Sequence, residues 1–326
     1  MKLKANQIDI EVEDSGPGAV GENRPAVLLI MGLGMQLIAW PTPLVQALLD
    51  AGYRVIRHDN RDSGLSQHFA ALGKPHLMWQ GLKYKLGLTP SSPYSLSDMA
   101  ADAFGVLDAL GVSKAHVVGV SMGGMIAQRM ALAAPERVLS LASVMSTSSA
   151  KGLPTARPEV MRALFARPAD KSAQAAVAHF LNLFKIIGSP AFETPEAALR
   201  DQITRGMARD FDPVGTLRQT AAVMADTTRA AQLSRITAPT LVLHGKADPL
   251  LPYACGEDTA RRIPGAQLVG IEGLGHDLPP GAMGPILAAL LPHLFQSTPL
   301  PGRVLEDATL PQINSISPKG AISNRS

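Results

Sequence analysis

Three residues of this chain combine chemistry with setting: Ser121 in Gly119-Val120-Ser121-Met122-Gly123, Asp248 in Gly245-Lys246-Ala247-Asp248-Pro249, and His276 in Gly273-Leu274-Gly275-His276. A serine hydroxyl attacks a carbonyl near neutral pH only when a base takes its proton. Imidazole serves as that base when a buried carboxylate accepts its other N–H and so fixes the tautomer. Serine, histidine and aspartate are therefore a candidate nucleophile, base and orienting group. G-x-S-x-G alone is a cheap pattern in a chain with 29 glycines, and Asp-Pro after a strand opens many turns. The flanks of the three residues give them their weight.

Those flanks read as strand ends. His116, Val117, Val118 and Val120 close an apolar run expected to be a buried parallel strand, and Met125 to Ala134 carries small and apolar residues at helical spacing. A tight strand-to-helix bend forces strained angles on its central residue and leaves little room beside it, which glycine fits. The bend also sets Ser121 at the positive end of a helix, where unpartnered N–H groups can stabilise an oxyanion. Asp248 follows a strand at Pro239 to His244, and His276 follows one at Gln267 to Ile271. Carboxyl ends of parallel strands share one edge, so the three side chains can converge.

The rest of the chain must supply that sheet. Lys2 to Ile10 and Ile10 to Glu13 are strand-like, with a turn at Ser15 to Gly18. Ala26 to Met31 is continuously apolar, as a strand buried on both faces would be, and runs into Gly32-Leu33-Gly34. A helix over Pro43 to Asp50, stopped by Gly52, precedes a strand at Tyr53 to His58. This alternation predicts a mostly parallel sheet with helices on both faces. In the polar turn from Asp59 to Ser66, the opposite charges of Asp59 and Arg61 read as a structural pair. Lys74 to Pro93, which contains Trp79, reads as an irregular excursion, and Ser95 to Asp98, or its one-residue neighbour, as a capping box that starts a helix through Leu110.

From about Ala150 to Arg235 no strand is expected. Helical stretches such as Ala169 to Ile187 and Pro195 to Arg209 suggest an inserted module, in which Met161, Phe165, Phe180 and Phe184 read as packing surface and as possible substrate lining. The expected division is a core of residues 1–147 and 236–297, a helical cap at 148–235, and a flexible tail at 298–326, where periodicity is lost.

Composition narrows the function classes. Cys255 is the single cysteine of the 326 residues, which excludes an internal disulfide or a cysteine zinc cluster and fits a reducing, cytoplasmic setting. The opening residues lack the apolar run of a signal peptide, and no run reaches the ~18 residues of a membrane span. A net charge of +3 with dispersed Lys and Arg does not point to nucleic acid. Neither a metal nor an organic cofactor is required by the chemistry above.

Over about residues 23 to 295 the chain resembles the α/β-hydrolase fold serine hydrolases, in which nucleophile, acid and histidine follow in this order. Asp59 to Ser66 is similar to that family's D-x-R-G-x-G-x-S turn, with Asp62 in place of Gly. More narrowly, Leu29-Ile30-Met31-Gly32, Trp40-Pro41, Arg57 to Asp62 and His116 to Gly119 resemble the aclacinomycin methylesterase branch, with Met31 where many members have His. The resemblance implies an α/β-hydrolase fold with an inserted helical cap, hydrolysis of a small-molecule carboxylic ester, and an oxyanion hole from the backbone N–H groups of Leu33 and Met122. Gly34 competes with Leu33 as the first donor. Leu33, Met122 and Trp40 are the implied substrate contacts. Two alternatives share these features: an acyltransferase of the homoserine O-acetyltransferase type, and a receptor-like small-molecule binder with incidental turnover. Epoxide hydrolases and haloalkane dehalogenases would require Asp in place of Ser121. Oligomeric state is left open.

Overall fold

The computed structural model describes residues 1–16, 24–166, 168–170 and 172–298. The tail from 299 onward and the side chain of Phe165 lie outside the described residues. Eight strands, β1 (Lys2–Ala5), β2 (Ile8–Asp14), β3 (Ala26–Ile30), β4 (Arg54–His58), β5 (Ala115–Val120), β6 (Val138–Val144), β7 (Thr240–Gly245) and β8 (Gln267–Ile271), form one sheet in the order β1-β2-β4-β3-β5-β6-β7-β8. Pairing is antiparallel from β1 through β2 to β4 and parallel from β4 to β8. The first hairpin turns at Asn6-Gln7, both at positive φ, rather than at Ile10 as the sequence suggested.

Helices fill the crossovers. α1 (Thr42–Asp50) lies between β3 and β4, α2 (Leu77–Lys85) and α3 (Leu96–Ala109) between β4 and β5, and α4 (Met122–Ala133) between β5 and β6. Four helices, α5 (Pro158–Phe165), α6 (Ala173–Ile187), α7 (Glu196–Arg209) and α8 (Pro213–Ala225), are inserted between β6 and β7. α9 (Tyr253–Arg262) leads into β8, and α10 (Met283–Ser297) closes the described chain.

The period of two along a strand explains why β3 is apolar at every position. Leu28 and Ile30 join an apolar cluster with Val106 of α3 and Ile126 of α4, while Val27 and Leu29 face the opposite layer with Leu44 of α1 and Ile286 of α10. Both faces of the central strands are therefore dry, and the sheet is a rigid platform whose carboxyl edge stays open to loops. Local signals held at α3, where the Ser95 hydroxyl accepts the Asp98 N–H and the Asp98 carboxylate accepts the Ser95 N–H. They failed at Lys74 to Pro93: this segment forms α2, whose few buried contacts include Gly81 against Met224 of α8.

Candidate active site

Ser121 stands between β5 and α4 with φ +56° and ψ −118°, a region that non-glycine residues rarely occupy and that costs on the order of 1–3 kcal/mol. Its neighbours explain how this bend closes. A Cβ on Gly119 would lie 2.1 Å from the Gly123 carbonyl oxygen, and one on Gly123 would lie 2.1 Å from that of Ile30. Only glycine fits at either position. The bend is pinned by the Ser121 N–H donating to the Val144 oxygen at 2.9 Å and by the Ser146 hydroxyl donating to the Ser121 oxygen at 2.7 Å.

The structure brings the three sequence-selected side chains together at the carboxyl edge. His276 Nε2 is 3.0 Å from Ser121 Oγ, and His276 Nδ1 is 2.7 Å from Asp248 Oδ2. Asp248 is 3% exposed, and its other oxygen accepts the N–H groups of Leu250 and Leu251 at 2.9 and 2.8 Å. With one oxygen anchored on backbone, the carboxylate can present the second to the imidazole in one orientation. His244 Nε2 lies 3.5 Å from the same carboxylate and binds the Leu251 oxygen; burial pushes its pKa down, against the Leu251 bond and Asp248, which pull it up.

The insert grips the histidine loop. The His276 N–H donates to the Ile187 oxygen at the end of α6 (2.7 Å), and the Gly275 N–H donates to Ser189 Oγ (2.9 Å), whose hydroxyl donates in turn to Asp277. Burial raises the Asp277 carboxyl above its ordinary range, opposed by these Ser189 bonds. A Cβ on Gly275 would meet the Gly188 oxygen at 2.3 Å, so this glycine is required by the docked helix end.

The glycine loop after β3 lies against the nucleophile: a Cβ on Gly32 would stand 3.3 Å from Ser121 Cβ. The Met35 N–H donates to the Gly32 oxygen at 3.1 Å, closing a turn whose third residue, Gly34, has φ +66°, as a type II turn requires. The loop is held from two sides. From the 59–66 turn, Asn60 donates to the Met31 oxygen, Ser63 to the Met35 oxygen, and Asp59 accepts the Leu37 N–H. From α8, Gln219 Oε1 accepts the Gly34 N–H at 2.8 Å while its amide donates to the Arg61 oxygen at 2.8 Å. The Gly34 N–H, the alternative to Leu33 as an oxyanion donor, is thereby engaged by a side chain.

The 59–66 turn departs from its sequence reading. Asp59 and Arg61 do not pair with each other: Arg61 forms a two-bonded pair with Asp102 of α3 at 2.6 and 2.7 Å, and Asp59 binds Arg209 of α7 at 2.6 Å. Burial pushes the Asp59 carboxyl up, against the Leu37 and Leu65 N–H groups and Arg209, which pull it down. Asp62, at φ +62°, accepts two bonds from Arg218 of α8 at 2.8 Å and one from Tyr94 Oη at 2.8 Å. Sequence reasoning missed Arg209, Arg218 and Gln219. The available signal was Asp62 itself, a carboxylate in a buried turn that demands a counter-charge. Asp62, His68 and Asp212 have ligand atoms within 4.8 Å of one another, but each is already engaged with arginine, backbone N–H or one another.

Trp40 is 2% exposed and packs in the cluster of Leu44 and Leu48, and Met122 is 1% exposed against the α3 layer. Both side chains belong to the buried core, whereas Leu33 is partly open at 37%. Phe180 and Phe184 pack against Val177, Leu181 and Ile203 between α6 and α7.

Residues 25–280 match the family described as the α/β hydrolase fold, and the chain belongs to that family. A rhodomycin D methylesterase of Streptomyces peucetius is 32% identical over 296 residues covering 83% of this chain and 91% of that protein. A putative carbamate hydrolase of Variovorax paradoxus is 33% identical over 253 residues, covering 77% and 83%. The solved esterase from Exiguobacterium antarcticum shares the fold with a TM-score of 0.66 at 23% identity, covering 90% of this chain and 98% of that one.

Proposed function

We propose that the protein hydrolyses carboxylic esters of small apolar molecules through an acyl-enzyme on Ser121, with residues 148–235 as the cap that closes over the substrate. The observation that carries this reading is the hydroxyl on a strained bend, 3.0 Å from an imidazole that is itself 2.7 Å from a buried, backbone-anchored carboxylate. His276 Nε2 takes the proton as Ser121 Oγ adds to the ester carbonyl. Asp248 stabilises the imidazolium. The oxyanion is met by the N–H groups of Met122, at the first turn of α4, and Leu33. His276 then protonates the departing alcohol, and a water activated by the same nitrogen cleaves the acyl-enzyme.

The methylesterase relatives support an ester as the group attacked, and the core supplies nothing that would compensate a charged substituent for lost hydration. The test is an organophosphonate probe followed by peptide mapping. Label is expected on Ser121 alone, with Ser121→Ala unlabelled and kcat lowered by about 10⁶-fold. Label on another serine overturns the assignment, and faster turnover with an added alcohol acceptor than with water alone would favour acyl transfer over hydrolysis.

A further inference from the structure

α2 buries one side and presents the other. Gln80 is buried, its carbonyl accepting the N–H and hydroxyl of Ser91 at 2.8 and 3.2 Å, and Gly81 rests on Met224. Met78 and Trp79 stand outward at 89% and 56% exposed, and Leu82 and, just past the helix end, Leu86 continue the same face one and two turns on. Scattered single apolar residues on a surface are ordinary, but a contiguous apolar helical face marks a docking site.

Charge identifies the occupant. Between Asp62 and Asp98 the chain has no Asp or Glu, whereas Lys74, Lys83 and Lys85 all fall there, although acidic residues number 27 across the whole chain. An apolar ridge that carries Trp79, on a segment whose Asp, Glu, Lys and Arg residues are all lysines, has the chemistry of a helix lying in the headgroup region of an anionic bilayer. A second copy of the chain would bring its own lysines against these. We propose that the exposed face of α2 docks reversibly on anionic lipid surfaces. No helix among the described residues is long and apolar enough to span a membrane, and docking of this kind needs none.

Docking is readable without turnover, because the chain has two tryptophans, of which Trp40 is in the core and Trp79 exposed. The full chain is titrated with vesicles of phosphatidylcholine alone and of phosphatidylcholine mixed with phosphatidylglycerol, following tryptophan emission and co-sedimentation. Expected is a blue shift and co-sedimentation with the anionic vesicles only, weakened by added salt, lost in Trp79→Ser/Leu86→Ser, and weakened roughly tenfold or more in Lys74→Glu/Lys85→Glu. Melting curves verify that these surface variants fold. Unchanged emission with anionic vesicles, or equal binding to both vesicle types, overturns the proposal. So does a concentration-dependent dimer in the absence of vesicle binding that Trp79→Ser disperses, since the face would then be an interface between copies.

Discussion

The carboxyl edge of the sheet and the seam between the 59–66 turn and the insert both build the candidate site, by different physics. At the edge, Ser121, Asp248 and His276 each follow the end of a strand, and backbone geometry places them: glycines without room for Cβ, a strained bend, paired N–H groups under a carboxylate. At the seam, side chains far apart in sequence do the placing: Asp59 with Arg209 at a separation of 150 residues, Asp62 with Arg218 at 156, Gly34 with Gln219 at 185. The edge is fixed by the core fold; the seam exists only while the insert is docked. Breaking the seam should therefore loosen the insert and the glycine loop while leaving the strand ends in place.

The largest effect is expected at Arg218. Its side chain is 1% exposed and that of Asp62 fully buried, and the pair raises the Arg218 pKa through the Asp62 hydrogen bonds against the opposing cost of burial. Arg218→Met leaves a buried carboxylate with only Tyr94 Oη and the Phe69 N–H, and should cost about 3–5 kcal/mol in denaturant unfolding. Adding Asp62→Leu should restore most of that, because neither charge is then stranded. A single-variant cost below about 1 kcal/mol would mean that the seam does not hold the insert.

Acid probes the core side of the comparison. Burial lowers the pKa of His58 on β4 and of His116 on β5 to about 4, His293 adding to the effect at His116. The unfolded chain takes up these protons near 6.5, the folded chain only near 4. Stability is thus full above about pH 6.5, falls as pH drops through this window and levels off below about 4, by about 3 kcal/mol for each ring. Melting temperature measured across the window checks this. A flat profile would show that these rings accept protons in the folded state.

Legibility in the sequence followed the same divide. β3, β5 and the Ser121 bend were readable because the constraint is local: continuous apolar residues, and glycine wherever another backbone passes within contact. The Asp59 and Arg61 reading failed because proximity in a turn says nothing about which charge is buried beside which; α3 and α7 supply the partners. Trp40 and Met122 were named as substrate contacts on the family resemblance alone; the sequence did not show that each is also buried in one of the two apolar layers. α2 was missed because its outward face is apolar, so hydrophobic periodicity did not mark an inner side.

The smallest effect tests where edge and seam meet. Gln219 is fully buried, its oxygen taking the Gly34 N–H and its amide donating to the Arg61 oxygen. Gly34 is the turn residue that follows Leu33, so on the proposed mechanism this bond from the insert bears on the Leu33 donor without touching the reacting atoms. Gln219→Leu removes both bonds at once; the freed Gly34 N–H can then turn toward the oxyanion position and pull Leu33 out of line. Loss of an entire donor costs about 3 kcal/mol, so a misaligned one should cost less: kcat is expected to fall roughly tenfold, about 1.4 kcal/mol, with KM within about twofold. Gln219→Glu keeps the acceptor for Gly34 and gives up the donor to Arg61. Recovery of kcat in the glutamate variant would assign the effect to the Gly34 bond, whereas a lowered melting temperature with unchanged kcat in Gln219→Leu would make Gln219 a packing residue and leave the edge independent of the seam.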